Sequence, residues 1–389
     1  MIAPPLALYI HFPWCVAKCP YCDFNSHALR EELPEARYVA ALLQDLRAQL
    51  DTHARTGDSL AGRQLTSIFM GGGTPSLFSP QAIGRILEQA RSQMRFAADI
   101  EITLEANPGT IERGRFAEYR AAGVTRVSLG AQSFDAAQLL ALGRIHSPLE
   151  TQRAVAELHA AGLGNFNLDL MYALPQQSLE AALYDVETAI ALNPAHLSHY
   201  HLTMEPGTVF AAAPPVQPAD DVVDQMLDRC TQTLADAGFD QYEVSAYARA
   251  GRQCAHNLNY WNFGDYLGIG AGAHGKVTNT AGIERTTRPR EPRRYLAAAG
   301  EDATRRKVPA ADLPFEFLMN SLRLRIGFTE PQFAARTGLA IETISPQLAA
   351  AEARGWLRSS AQRWQPTDLG LRFLNDLLLD FLPDPKSAR

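Results

Sequence analysis

Three of the five cysteines in this chain, Cys15, Cys19 and Cys22, fall close together in the pattern Cys-x3-Cys-x2-Cys. Thiolates are soft ligands that suit zinc or iron–sulfur chemistry, and both kinds of site normally want four ligands. Three thiolates therefore leave one vertex open. His11 could complete a zinc site, although it lies in a strand where its ring could equally belong to the core. If the metal group is a [4Fe–4S] cluster, three ligated irons and one open iron make a site that can bind an amino-carboxylate from solution. Three unrelated free thiols are the plain alternative. Disulfides are a poor use for an odd count in which Cys230 and Cys254 lie far from the others.

Such a loop has to be held, and the spacing of apolar residues says by what. Short β-branched or aromatic runs begin at Leu8, Ser67, Ile100, Arg126, Phe166 and Leu197, and helical runs fill the gaps near 35–50, 80–95, 112–122, 149–161, 178–191 and 219–237. This is a βα repeat with a parallel sheet, which puts chemistry at the C-terminal edge of the strands, where the cysteine loop also falls. A complete eight-unit barrel needs about 250 residues and regular late units. Here six units end near 205, Pro206, Pro214, Pro215 and Pro218 break the rhythm, and the strand signals at 239–247 and 266–277 are less regular. The expectation is an α/β fold with an open or partial (β/α)6-type barrel. From about 311 the pattern changes to helices at 315–324, 330–337 and 343–354, a hairpin around Trp356–Ser359 and Arg363–Pro366, and a helix from about Asp368 to Phe381. That order suggests a winged-helix-like module.

Other residues near the strand ends have their own logic. Gly71-Gly72-Gly73-Thr74-Pro75 closes the second strand, where backbone without side chains can approach a ligand and offer N–H groups. Glu105, Gln132, Arg144 and Asp169 occur at or after the ends of the third to fifth strand units. Buried ionisable groups require partners.

The Cys-x3-Cys-x2-Cys motif with Tyr21 before its last cysteine, on the loop after the first strand of a βα barrel, resembles that of radical S-adenosylmethionine (SAM) enzymes. In that family the unique iron chelates SAM, and an electron from the cluster cleaves the sulfonium to a 5'-deoxyadenosyl radical. The resemblance implies Cys15, Cys19 and Cys22 as cluster ligands, and Tyr9, Tyr21, Gly72, Gly73, Thr74, Glu105, Gln132, Arg144 and Asp169 around SAM, with the glycine segment meeting the SAM amino group. The two acids, one base and one amide suit its sulfonium, ammonium, carboxylate and ribose diol.

The likeness extends along almost the whole chain to the branch of oxygen-independent coproporphyrinogen III dehydrogenase and its haem-chaperone relatives, carried by Tyr9-Ile10-His11-Phe12-Pro13-Trp14-Cys15, Leu129-Gly130-Ala131-Gln132-Ser133 and Gly143-Arg144-x-His146. The decarboxylating enzyme has one more cysteine two positions after the third, where this chain has Phe24, and a long N-terminal extension, whereas the first strand here begins by about residue 7. Both differences point to the chaperone branch, as does His256-Asn257-x-x-Tyr260-Trp261, which resembles a segment associated there with haem binding. Imidazole is a usual haem ligand and the two aromatics offer flat apolar surface, although a histidine beside two aromatics is more often scaffold. No catalytic residue is assigned. On this reading residues 1–205 form the radical SAM core, 206–310 complete the barrel and carry the haem segment, and 311–389 form the C-terminal module.

The function implied is a haem chaperone with a [4Fe–4S] cluster, SAM and haem; the alternative is oxidative decarboxylation of coproporphyrinogen III. The implied partners are haem and acceptor haemoproteins, membrane-bound respiratory proteins among them, and nothing forbids a homodimer. With 42 acids against 36 bases the net charge is −6, so no whole-chain basic field exists to hold nucleic acid, and the winged-helix-like module shows no clear basic stripe. Locally, Arg285, Arg288, Arg290, Arg293 and Arg294 would suit propionates or phosphate, while a solvated loop is the plain reading. His196, His199 and His201 alternate in a strand, His199 and His201 on one face, and read as scaffold or cavity lining rather than zinc ligands. The start lacks a signal peptide and no apolar run reaches 18 residues, so the chain reads as cytoplasmic, with any membrane association made through partners.

Overall fold

Leu6, Leu8, Ile10 and Phe12 alternate along β1 (Leu6–Phe12) with Ala7, Tyr9 and His11, so one set joins the main hydrophobic core while the other faces the inside of the sheet. The computed structural model describes residues 3–55, 60–109, 115–298 and 303–383. After β1 come β2 (Trp14–Cys15) and β3 (His27–Ala28), which pair in parallel and bracket the cysteine loop. The βα repeat then runs α1 (Glu35–Arg55), β4 (Gln64–Gly72), α2 (Pro80–Gln93), β5 (Arg95–Ala106), α3 (Phe116–Ala121) and β6 (Arg126–Gln132). It continues with α4 (Ala136–Ala141), α5 (Pro148–Ala160), β7 (Phe166–Tyr172), α6 (Leu179–Ala191) and β8 (His196–His201). The helix starts are written in the sequence. Ser79 and Ser178 cap α2 and α6, and Ser147 with Glu150 forms a capping box on α5. Of the helix expected over 112–122, residues 116–121 are helical and 110–114 lie outside the described residues.

The second half extends the sheet at both ends. It contains α7 (Val209–Ala212), α8 (Asp220–Asp236), β9 (Asp240–Gln241), β10 (Ala246–Ala248), α9 (Ala255–Trp261), β11 (Asp265–Ile269), β12 (His274–Asn279), β13 (Gly282–Thr287), α10 (Pro292–Ala297) and β14 (Thr304–Lys307). The order across the sheet is β14-β13-β12-β11-β1-β4-β5-β6-β7-β8-β10-β9, and its two ends do not pair, so the barrel is open. The six expected strands are parallel neighbours, and β11 adds a seventh beside β1. The remaining neighbours are antiparallel. A buried charge cluster anchors β11: Asp265 receives Arg63 at 2.9 Å, Lys276 at 3.2 Å and the Thr278 hydroxyl at 2.8 Å.

A second core lies under the C-terminal module, which contains α11 (Leu313–Ser321), β15 (Phe328–Thr329), α12 (Glu330–Thr337), α13 (Ser345–Ala353), β16 (Leu357–Ser360), β17 (Arg363–Pro366), α14 (Asp368–Arg372) and α15 (Leu374–Leu379). Phe317 packs edge-on against Phe328 and Phe333 at 5.2 and 5.3 Å between ring centres. Three helices followed by the β16–β17 hairpin give the winged-helix-like shape, with β15 added to the hairpin. The single helix expected from Asp368 to Phe381 is two, broken at Phe373, whose backbone leaves the helical region and whose ring stacks on Trp356. No described helix is long and apolar enough to cross a membrane.

Candidate cluster and cofactor site

The cysteine loop leaves β2 at Cys15 and returns at β3, and its shape is fixed mostly by backbone. Lys18 Nζ donates to the carbonyls of Phe24 and Ser26 at 3.2 and 3.0 Å, and the Cys22 amide to Cys19 O at 3.2 Å. Asn25 ties the loop to the far part of the sheet, donating from Nδ2 to Ala271 O and Arg290 O, each at 2.9 Å. Cys15, Cys19 and Cys22 are half-buried and line one cavity of about 540 Å³ at the C-terminal edge of the strands, a size suited to a small cofactor. Among the described residues no three His, Cys, Asp or Glu side chains gather as a single metal ion would need. His11 does not complete a zinc site either: Nε2 donates to Asn25 O at 2.9 Å, which leaves Nδ1 to accept from the Tyr9 hydroxyl at 3.0 Å. Three thiols around a cavity, with no fourth ligand among the described residues, fit a cluster with an open iron.

Gly72, Gly73, Thr74, Glu105, Gln132, Arg144 and Asp169 line the same cavity, as does Tyr21, whose ring also packs near Phe210. The N–H groups of the glycine segment are engaged within the protein rather than offered to a ligand. Gly72 N donates to Glu105 Oε2 at 3.0 Å, Gly73 N to Phe12 O and Thr74 N to Trp14 O, both at 2.7 Å. The requirement for glycine is internal too. A Cβ on Gly72, whose φ is +107°, would fall 2.2 Å from the His11 ring, and one on Gly73 would fall 2.6 Å from two carbonyl oxygens.

Arg144 is a hub on the cavity wall. It donates to Asn107 Oδ1 at 2.5 Å and Gly130 O at 2.9 Å, and Nη1 reaches Cys19 Sγ at 3.5 Å. Asn107 in turn donates to the Thr74 hydroxyl at 3.0 Å, so one chain joins the cysteine loop, the glycine segment and the end of β6. Gln132 completes this wall in a left-handed conformation, φ +68°, where β6 shifts register against β7. Burial pushes the Cys15 thiol up, while its Thr74 hydrogen bond and the Arg144 charge act the other way. Asn107 and Gly130 were not among the expected residues; the Asn107-Pro108 pair at the end of β5 was the available signal.

Two expected residues are not on the cavity wall. Tyr9 sits below it, bonded to His11 and close enough to Glu105 to feel its charge. His256 lies deeper still, 1% exposed on α9, with Nδ1 bonded to the Ser67 hydroxyl at 3.1 Å, Nε2 to the Tyr260 hydroxyl at 2.8 Å, and its ring stacked on Phe69. Burial, and then Arg126, push it down to about 3. Both nitrogens are engaged inside the sheet, so in this conformation His256 presents no free lone pair. The rest of its segment joins the barrel to the C-terminal module. Arg323 lies 4.4 Å over Trp261, and Gln332 donates to Asn262 at 3.0 Å. His256→Ala is expected to cost about 2–4 kcal/mol through a cavity and two stranded hydroxyls, read by denaturant unfolding. Haem absorption should not change; a changed haem spectrum at full stability would put iron on this ring.

The other polar motifs divide between scaffold and cavity lining, with His201 on the cavity wall. Arg285 pairs with Glu316, and the buried Arg288 with Asp45 at 2.7 Å, so two members of the basic segment are internal ion pairs rather than anion receptors. His196 is held by Asn167 at 2.7 Å and Tyr242 at 2.8 Å, while His199 and His201 both stack on Tyr172.

Residues 9–188 match the model of the radical SAM superfamily, and residues 308–373 match that of the HemN C-terminal domain. The heme chaperone HemW of Escherichia coli is 52% identical over 98% of this chain and 99% of its own length, and that of Haemophilus influenzae 50% identical over the same shares. A mouse protein, radical S-adenosyl methionine domain-containing protein 1, mitochondrial, is 37% identical over 98% of this chain and 88% of its own. The solved structure of coproporphyrinogen III oxidase (HemN) from E. coli, at 22% identity, covers 97% of this chain and 90% of that one with a TM-score of 0.81, which establishes the shared fold. Similarity of this extent, running through the cysteine loop, the cavity wall and the C-terminal module alike, places the chain in the HemW family of radical SAM proteins.

Proposed function

We propose that this protein binds haem and passes it to acceptor haemoproteins, membrane-bound respiratory proteins among them, from a cytoplasmic location and without decarboxylating coproporphyrinogen III. The observation that carries the reading is similarity along nearly the whole chain to proteins named as heme chaperones. Phe24 supports it: the position holds an exposed aromatic side chain where the decarboxylating enzyme would need a further cysteine.

Cys15, Cys19 and Cys22 would hold the [4Fe–4S] cluster, and a bound cluster with SAM supplies one-electron redox chemistry. The protein's own part is placement. Arg144 ties the cysteine loop to the wall through Cys19, Asn107 and Gly130. The carbonyls of the glycine segment, whose N–H groups are engaged, are the polarity left there for an ammonium group. Glu105 and Asp169 put two carboxyl groups on the cavity wall, where a ligand bearing a sulfonium and an ammonium would meet them. Haem itself would be received without His256 in its present position.

The discriminating experiment is an anaerobic incubation of the reconstituted protein with reductant, SAM and coproporphyrinogen III. No protoporphyrinogen IX is expected. Multiple turnovers to that product would replace the chaperone reading with the enzyme.

A further inference from the structure

Gln132 ends β6 in a conformation that side chains rarely adopt. Its φ is +68°, and the Ser133 amide donates across it to Ala131 O at 2.9 Å, so the three residues form a γ-turn of the uncommon positive-φ kind. Such a turn persists only where its surroundings over-determine it. Three side chains do so here. Ahead of Gln132, Arg144 donates to Gly130 O at 2.9 Å and His146 Nε2 to Ala131 O at 3.1 Å. Beyond it, Asp185 of α6, 2% exposed, accepts from the Ser133 hydroxyl with both oxygens, at 3.0 and 2.9 Å, and from the Phe134 amide at 2.5 Å.

The turn decides where the Gln132 amide lies. A Cβ on Gly130 would fall 3.0 Å from Gln132 Nε2, 3.1 Å from Asn107 Oδ1 and 3.2 Å from Arg144 Nη2, so these three groups converge on the cavity wall. Asn107 and Arg144 bond each other there, whereas none of the described residues hydrogen-bonds the Gln132 side chain. A polar group held on a cavity wall without a protein partner is available to a ligand.

Asp185 is not itself on that wall. Its remaining described partner is Gln177, whose Nε2 reaches the carboxylate at 3.3 Å while its Oε1 accepts from the Leu174 amide at 3.1 Å. The carboxylate thus joins the loop after β6 to the loop after β7, and it grips the two residues that follow Gln132. Asparagine would keep the size but put an N–H group where the second acceptor stood, leaving one of these donors unpaired.

We propose that Asp185 is a positioning residue for SAM: from behind the wall it holds Ser133 and Phe134, which keeps the γ-turn and presents the Gln132 amide to the cofactor. This rests on the reading of the cavity as the SAM site. Without the brace the turn relaxes toward extended backbone, and the amide swings away from Asn107 and Arg144, because side chains along a strand alternate between its faces.

The test is calorimetric titration of cluster-loaded protein with SAM in a double-mutant cycle of Asp185→Asn and Gln132→Ala. Each single substitution is expected to weaken binding about tenfold, as for one lost hydrogen bond to a charged ligand, with bound iron unchanged. The pair should weaken it no more than Gln132→Ala alone, because the brace acts through Gln132. Losses that add, or unchanged affinity in either single variant, would overturn the proposal. A purely structural Asp185 would lower the unfolding midpoint and leave the affinity of the folded protein where it was. If Asp185→Asn does not fold, Ser133→Ala takes its place in the same cycle and is judged in the same way. Absence of SAM binding in the unsubstituted, cluster-loaded protein is a separate failure, that of the SAM reading, and it overturns the proposal as well.

Discussion

Alanine in place of Cys15, Cys19 and Cys22 together is expected to reduce bound iron after anaerobic reconstitution from about four per chain to almost none, and to abolish SAM binding with it. The size of the effect follows from the geometry. The three thiols line one cavity, and the remaining two cysteines, Cys230 and Cys254, are buried elsewhere. No other described group of metal-binding side chains can substitute. The fold should survive, because the loop is pinned by Lys18, Asn25 and the β2–β3 pairing rather than by sulfur. Iron analysis with Mössbauer spectroscopy reads the first effect and circular dichroism the second. An intact cluster in the triple variant would contradict the assignment.

Arg144→Lys is expected to weaken SAM binding about 10- to 100-fold, which corresponds to losing one or two hydrogen bonds to a charged group. Lysine keeps the charge but replaces a planar fork with a point donor. It cannot reach Asn107, Gly130 and Cys19 at once, as the guanidinium does at 2.5, 2.9 and 3.5 Å. Asn107 would lose its hold on the wall, and through Asn107 the Thr74 hydroxyl loses orientation. Calorimetric titration of the cluster-loaded variant measures this. Unchanged affinity would mean that Arg144 is a bystander on the cavity wall.

The parallel part of the sheet could be read from sequence because each of its six units carries both signals, a β-branched run and a helix of at least a turn and a half. β11 gave only part of the irregular signal at 266–277 because Asp265-Tyr266-Leu267-Gly268-Ile269 is short, carries a glycine and pairs beside β1 only through long-range contacts; what anchors it is an ion cluster of Asp265 with Lys276 and with Arg63, which is distant in the chain. The break at Phe373 was hidden for a related reason: stacking on Trp356 overrides an uninterrupted helical pattern.

The site divides in the same way. Cysteine spacing is local, so three thiols gathered on one loop were readable, and Glu105, Gln132, Arg144 and Asp169, expected from their places at strand ends and from the family resemblance, line the same cavity. That the glycine N–H groups are engaged could not be read, because their close neighbours His11, Phe12 and Trp14 come from other strands. The surroundings of His256 were not legible because its partners Ser67 and Phe69 are about 190 residues away in the chain, and no periodicity reports that an imidazole has both nitrogens engaged.

The central claim is that this radical SAM fold receives haem, and an anaerobic haem titration of the cluster-loaded protein tests it most directly. The account predicts a saturable change in the haem absorption band that persists in His256→Ala and reverses when an apo-haemoprotein acceptor is added. A linear, unsaturating response in the folded, cluster-loaded protein would contradict it.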